Sequence, residues 1–245
     1  MMKRAISTAG LSAAIGLVAA AASAQGLAGG TLALETSAFF EEGAIGHTSY
    51  SGGLQFDIGL GFGAAVDLAS YGFSGFGADG SNATLHALYD FGPFVMGLDG
   101  AVVGAFVGRD DYEEGDAEIY GIEAAASVFG LRGEGYLAHH DGTRGGAAVA
   151  GLSARYEITP AIFAMGEIGF ADADEEGALT RVALGGGYRI DGGPRLWGEL
   201  GRIEAEDEAF GGDETFLAIG AEIGFGALSG TSFGTRSLFD VVPGL

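Results

Sequence analysis

The chain has 245 residues and a formal net charge of −22, with 33 acidic side chains against 11 lysines and arginines. This acidity excludes nucleic acid as a partner, because a phosphate backbone would be repelled. The sequence contains no cysteine, which excludes disulfide bonds and thiolate metal sites, and its 48 glycines lack a collagen period and suit curved, closed sheets.

The first 24 residues have the pattern of a removable secretory signal. Lys3 and Arg4 open the chain, residues 11–20 are small and apolar, and Ala22-Ser23-Ala24 matches an Ala-x-Ala cleavage site. No later stretch is an uninterrupted apolar run long enough for a membrane helix. We therefore expect an exported protein that would have to cross any membrane with strands.

The first half of the exported chain alternates apolar and polar residues with the period of a β-strand. The segments at about 31–40, 47–59 and 83–91 show this most clearly, and a shorter one surrounds Asp67. In the fifth strand, we expect the apolar positions Phe94 to Phe106 to face away from Asp99. About twelve strands are predicted in all, within a range of roughly 10 to 14.

The clearest hairpin covers residues 147–170. Its even positions from Ala148 to Ile158 are all apolar, whereas the odd positions include Arg155 and Glu157. Successive strand side chains point to opposite faces, so one face is uniformly apolar. Thr159-Pro160 marks the turn, because proline cannot continue a central strand.

The connections decide whether the apolar face meets a core or lipid. Tight Gly or Pro turns, such as Phe129-Gly130, alternate with acidic stretches at about 108–118, 172–177 and 204–214. Outer-membrane barrels combine short periplasmic turns with longer outer loops and even strand numbers. The predicted fold is therefore an all-β, antiparallel transmembrane β-barrel over residues 25–225, with short periplasmic turns and longer acidic outer loops. A secreted soluble β-protein is the alternative.

From Gly30 to Phe225 this architecture resembles the Gram-negative outer-membrane β-barrels, and the porin-like proteins in particular. The resemblance implies a location in the outer membrane, in contact with its lipid and lipopolysaccharide. Members usually end on an aromatic residue that closes the last strand, a place that Phe225 takes here. Residues 226–245 then form a tail for which an edge strand, a lumen plug and a periplasmic extension all remain open.

If the apolar faces meet lipid, the other faces line a lumen with acidic residues in both halves and arginines only in the second half. Rings of charge in a pore select solutes by charge and size, as in the constriction of porins. Alternatively, cross-strand pairs of opposite charge would neutralise each other and fill the interior. The predicted selectivity residues are Asp57, Asp67, Asp90, Asp99, Glu123, Arg132, Arg155, Arg181, Arg189 and Glu199.

Three further groups of residues have alternative interpretations. The acidic loops offer oxygen ligands for weak calcium or magnesium binding, although their composition favours a solvated charge run that attracts cations to the mouth. His47-x-Ser49 resembles the catalytic pair of outer-membrane phospholipase A and lipid A deacylase, with Ser49 as nucleophile and His47 as base. His139-His140-Asp141 offers ligands for a metal, but adjacent histidines at a strand end point to opposite faces, which favours a solvated loop.

The sequence thus predicts a porin-like channel for passive diffusion of small hydrophilic solutes, with a preference for cations, no cofactor and no enzymatic activity. A closed structural or surface-interaction barrel and a lipid acyl hydrolase that uses His47 and Ser49 are the alternatives. The identity of the solute and homo-oligomer formation are left open.

Overall fold

The computed structural model describes residues 26–40, 46–74, 79–93, 97–112, 115–142, 145–173, 177–205 and 213–241. The predicted signal segment 1–24 lies outside these ranges. Twelve strands form one closed antiparallel barrel in which each strand pairs with its neighbours along the chain. The strands are β1 (Leu27–Phe39), β2 (Gly46–Gly59), β3 (Phe62–Ser74), β4 (Asp79–Asp90), β5 (Asp99–Tyr112), β6 (Gly115–Val128), β7 (Leu131–Gly142), β8 (Gly145–Glu157), β9 (Ile162–Ala173), β10 (Gly177–Arg189), β11 (Arg195–Ala205) and β12 (Glu214–Gly226).

The first and last strands close the barrel. β12 pairs with β1 in a continuous register from Gly29 opposite Gly226 to Phe39 opposite Phe216. Closure leaves no unpaired strand edge, so all backbone groups along these strands can bond within the sheet. The predicted all-β antiparallel barrel is confirmed. Because β12 already has a partner on each side, the described residues after it, 227–241, do not form an edge strand.

Large apolar side chains cover the outside of the barrel. On β8 the even residues Leu152 and Tyr156 are exposed, as the alternation predicts, and Leu184 on β10 is 71% exposed. Such a continuous apolar surface is far larger than a soluble monomer exposes, and it matches the lipid-facing band of a membrane barrel. No helix in the described ranges has the length and hydropathy of a membrane span.

Two-residue turns at residues 60–61 and 129–130 define one end of the barrel, here called the turn end. Leu60 and Phe129 have φ values of 58° and 49°, and Gly61 and Gly130 follow with φ values of 83° and 80°. Positive φ at both central residues is the geometry of hairpin turns whose twist matches that of the strands. The predicted tight turn at Phe129-Gly130 is therefore confirmed.

At the opposite end, here called the loop end, the strands run farther than the sequence indicated. β5 continues to Tyr112 and β6 begins at Gly115, so most of the predicted loop 108–118 is strand. His139-His140-Asp141, predicted as a loop, lies on β7 and pairs with β8. Strand pairing satisfies the hydrogen bonds of the backbone beyond the apolar band, so strands of charged residues can continue there.

The orientation predicted for β5 is wrong. Val102 and Phe106, expected on the outer face, are 7% and 5% exposed and point inward, whereas Val107 is 52% exposed. Both faces of β5 are apolar, so alternation alone does not distinguish them. The register also shifts between Asp99 and Val102, which breaks the parity counted from Asp99.

The C-terminal segment 227–241, called the tail below, returns into the barrel. It leaves β12 at the turn end, where the Leu228 amide donates to the Ala28 carbonyl at 3.0 Å. A short 3₁₀ helix, Leu238–Asp240, follows deeper in the lumen. Val241 packs with the buried cluster that contains Ala147 near the start of β8, so the tail reaches the loop end.

Candidate functional site

The tail fills the half of the lumen that β2 to β7 enclose. Phe233 packs into a buried cluster with Ala65, Leu88, Val102 and Ala125. Phe239 lies against Tyr71 at 5.0 Å and Phe73 at 5.6 Å between ring centroids. These apolar contacts give the tail a defined position against one wall of the barrel.

Arg236 of the tail forms the central polar contact with that wall. Its Nε donates to Glu123 Oε2 at 2.9 Å, and its Nη2 donates to Glu134 Oε1 at 2.6 Å. The guanidinium carbon also lies 4.6 Å from the Tyr136 ring centroid. Charge-assisted hydrogen bonds and a cation–π contact thus act on the same buried cation.

A second cation, His86, lies behind Glu123. His86 Nδ1 is 2.6 Å from Glu123 Oε1, and Nε2 is 3.1 Å from Asp67 Oδ2. Ionised carboxylates only accept hydrogen bonds, so two such neighbours favour an imidazolium with a proton on each nitrogen. His86, Asp67 and Glu123 are all buried, and the single imidazolium charge offsets one of the two carboxylate charges.

Side chains of β4 and β5 hold the next residue of the tail. The Ser237 hydroxyl donates to Asp110 Oδ1 at 2.7 Å, and the Leu238 amide donates to Asp110 Oδ2 at 3.0 Å. Asn82 Nδ2 donates to Asp110 and to the Arg236 carbonyl. The tail backbone is therefore recognised by polar groups as well as by its side chains.

The opposite side of the lumen, along β7 to β12 and β1, keeps open space. A cavity of about 450 Å³ lies between the tail and Glu35, Arg132, Arg155, Arg195 and Glu222. A second, of about 230 Å³, borders Arg132, Arg155 and Arg195, and a third, of about 250 Å³, borders Glu35, Glu134 and Arg236. Because they share lining residues, the three spaces adjoin one another.

Ion pairs neutralise many charges on this open side. Arg195 Nη2 is 2.8 Å from Glu222 Oε1, and Arg181 pairs with Glu167 and, at 2.8 Å, with Glu199. Arg132 and Arg155 are directly opposite each other on β7 and β8. Like charges in that arrangement repel, so these two arginines give the cavity wall a positive patch.

The ten predicted selectivity residues occupy three kinds of position. Asp67, Glu123 and Glu199 are buried on the inner wall, whereas Arg132, Arg155 and Arg181 border the cavities. Asp57, Asp90 and Asp99 are exposed at the turn end, where Asp57 and Asp90 accept hydrogen bonds from the Gly59 and Gly92 amides. Arg189 pairs with Glu157 at the same end.

His47 has a different serine partner from the one expected. Its Nδ1 is 2.6 Å from the Ser37 hydroxyl across the β1–β2 pair, and its Nε2 is 3.4 Å from Glu35. Ser49 instead lines the large cavity. The predicted pair of His47 and Ser49 is therefore not assembled, since the imidazole is held by other groups.

The other histidines and the acidic loops form no metal site in the described ranges, where no cluster of three or more His, Asp or Glu side chains could hold a metal. His140 is buried with its Nε2 3.6 Å from Asp110, while His139 packs on Tyr120 at 5.5 Å. Glu113, Glu114 and residues 174–176 and 206–208 lie outside the described residues.

Arg236 is the functional residue that sequence reasoning missed. The predicted inner wall contained several carboxylates in its first half and no arginine there, so a cation was needed from elsewhere. Arg236 and Asp240 are the charged residues of the segment 226–245. The excess of carboxylates on the predicted wall was the signal that a cation was missing. It could not identify Glu123, 113 residues away in the sequence, as the partner of Arg236.

No family model matches the sequence, and no curated protein is detectably similar to it. Solved structures are similar in fold. The KdgM porin superposes with a TM-score of 0.56 at 9% identity, over 78% of this chain and 97% of that porin. Another structure of the KdgM porin is a complex with disordered oligogalacturonate. An outer-membrane channel from Pseudomonas putida F1 gives 0.57 at 13% identity, over 82% and 96%.

An enzyme is also among the similar structures. The outer-membrane phospholipase A from Escherichia coli gives a TM-score of 0.53 at 11% identity, over 79% of this chain and 91% of the enzyme. The fold therefore does not separate a channel from an enzyme, and the side chains inside the barrel have to do so. The chain has the fold of the outer-membrane β-barrels.

Proposed function

We propose that this protein is a porin-like channel through which small hydrophilic solutes diffuse across the outer membrane. The observation that carries the proposal is the series of adjoining, charge-lined cavities between the tail and the wall of β7 to β12. An interior of fixed charges and open space suits passage of hydrated solutes. The similar channel folds support the same conclusion.

We further propose that the channel prefers cations. The inner ion pairs leave little net charge along much of the passage, so the strong overall negative charge of the chain sets the potential at its entrances. Arg132 and Arg155 oppose this preference locally. The predicted selectivity residues on the cavity wall thus tune the preference, while those at the turn end stabilise turns.

A hydrolytic function is not proposed. His47 bonds to Ser37 and Glu35, and Ser37 is 9% exposed and does not line the adjoining cavities. A catalytic serine must reach its substrate, and it needs donors for the developing oxyanion. The buried arrangement is that of a satisfied histidine.

Planar-bilayer recording of the full-length protein, folded and inserted, tests the proposal. We expect discrete current steps and, in a salt gradient, a reversal potential of the sign that cation flux produces. A folded, inserted protein that carries no current would overturn the channel. Steps with an anion-selective reversal potential would retain the channel and refute the cation preference.

A further inference from the structure

Arg236 lies in a complete recognition site for a guanidinium group. Glu123 and Glu134 accept hydrogen bonds from two different nitrogens of the guanidinium, Nε at 2.9 Å and Nη2 at 2.6 Å. The Tyr136 and Phe106 rings are 4.6 and 5.9 Å from its central carbon. Two carboxylates with flanking aromatic rings form a combination that binds a planar organic cation through charge and shape together.

All four of these groups belong to the barrel wall. Phe106 is on β5, Glu123 on β6, and Glu134 and Tyr136 on β7, and around these residues the strands pair in a regular register. In that register Glu123 is directly opposite Tyr136. The site is therefore fixed by the sheet, and it persists when the tail moves away.

The wall requires a cation at this point. Three carboxylates, those of Asp67, Glu123 and Glu134, line this part of the wall, and the single charge of His86 can offset only one of them. The Glu123 side chain is fully buried. An uncompensated buried charge is costly, so the site favours any cation that can replace Arg236.

Solutes in the lumen can reach the site. Arg236 and Glu134 both border the cavities of about 450 and 250 Å³.

We propose that the wall of Glu123, Glu134, Phe106 and Tyr136 is a binding site for solutes that carry a guanidinium group, and that Arg236 occupies this site as an internal competitor. Solute binding and tail docking then exclude each other. The further step, that such solutes are transported, rests on the proposed channel function.

Chemical rescue of Arg236→Ala in the full-length protein tests the site. The substitution leaves a space that ethylguanidinium can fill, whereas ethylurea has a similar shape without the charge. Calorimetry on the folded variant should show saturable binding of ethylguanidinium, none of ethylurea, and none of either by wild type at the same concentrations. A further change of Glu134→Gln should weaken binding by about tenfold or more, since it removes one charge-assisted contact.

Two outcomes would overturn the proposal. One is a folded Arg236→Ala protein that binds ethylguanidinium no better than ethylurea. The other applies if Arg236→Ala does not refold unaided. It is a refolding yield that ethylguanidinium raises no more than ethylurea does. Arg109→Ala, which removes an exposed arginine paired with Asp111 and Asp116, should show neither effect. Binding is measured without a current, so binding in a protein that does not conduct refutes the channel but retains this site.

Discussion

The docking of the tail should depend strongly on Arg236, and replacement by alanine measures that dependence. The chain has no native cysteine, so Ser237→Cys supplies a single reporter at a position that is 1% exposed. A maleimide reagent can reach this thiol only when the tail leaves the wall. If docking is faster than labelling, the labelling rate is proportional to the undocked fraction.

The size of the effect follows from the contacts of Arg236. Removal of one partner from a buried ion pair costs about 3–5 kcal/mol when the other charge stays buried. Undocking lets water reach Glu123, and Glu134 is already partly exposed, so we take the lower value, about 3 kcal/mol. Since 1.4 kcal/mol corresponds to a factor of ten, the undocked fraction and the labelling rate should rise about 100-fold.

The assay compares Arg236→Ala with Arg236→Lys and Arg109→Ala, all in the Ser237→Cys background. Lysine keeps the charge but cannot bond to both carboxylates in the same planar geometry, so its labelling rate should be intermediate. Arg109 is exposed on the outer face of β5, where it pairs with Asp111 and Asp116, and its removal should leave the rate unchanged. A rise of less than about threefold for Arg236→Ala would refute the assignment of Arg236 as the main polar anchor.

Three other predictions test different parts of the molecule. Thr31→Cys with Thr231→Cys should form a disulfide, detected on non-reducing gels, because the two hydroxyl oxygens are 3.3 Å apart. Thr36→Cys, on the outer face, should not pair with Thr231→Cys, and equal disulfide yields would contradict the path of the tail. Arg132→Ala and Arg155→Ala should each move the reversal potential further towards cations, because each removes positive charge from the cavity wall, and an opposite shift would contradict the proposed passage. Leu184→Arg should lower the free energy of unfolding in lipid by about 2–4 kcal/mol, as measured by urea titration in vesicles. Asp172→Arg, near the loop end, should lower it by only about 0–1 kcal/mol, and equal losses would contradict the lipid-facing band.

The sequence predicted the fold wherever size and polarity alternate together. In β8, Leu152 and Tyr156 are large and apolar while Ser153 and Arg155 are polar, so only one face can meet lipid. In β5, Val102 and Val103 are both apolar, and the choice between them is made by the register shift near Asp99 and by packing against Phe233 of the tail. Local pattern cannot supply that information, because it depends on contacts distant in sequence.

The candidate site was predicted in part for the same reason. Parity identified Asp67, Glu123 and Glu199 as inward-facing, and the structure buries all three. It also identified Asp57 and Asp90, but these lie close to turns and bond to turn amides. The role of Arg236 depends on a return of the chain through the lumen, which the composition of residues 226–245 does not encode as a periodic pattern.

The path of the tail also separates the two described ends of the polypeptide. Gly26 adjoins the turn end, where its carbonyl accepts from the Asp57 amide, whereas Val241 lies among residues near the loop end. A peptide inserted directly after Val241 would therefore start at the end of the barrel opposite to one inserted before β1. For a barrel whose turn end faces the periplasm, Val241 lies towards the end that faces the cell exterior.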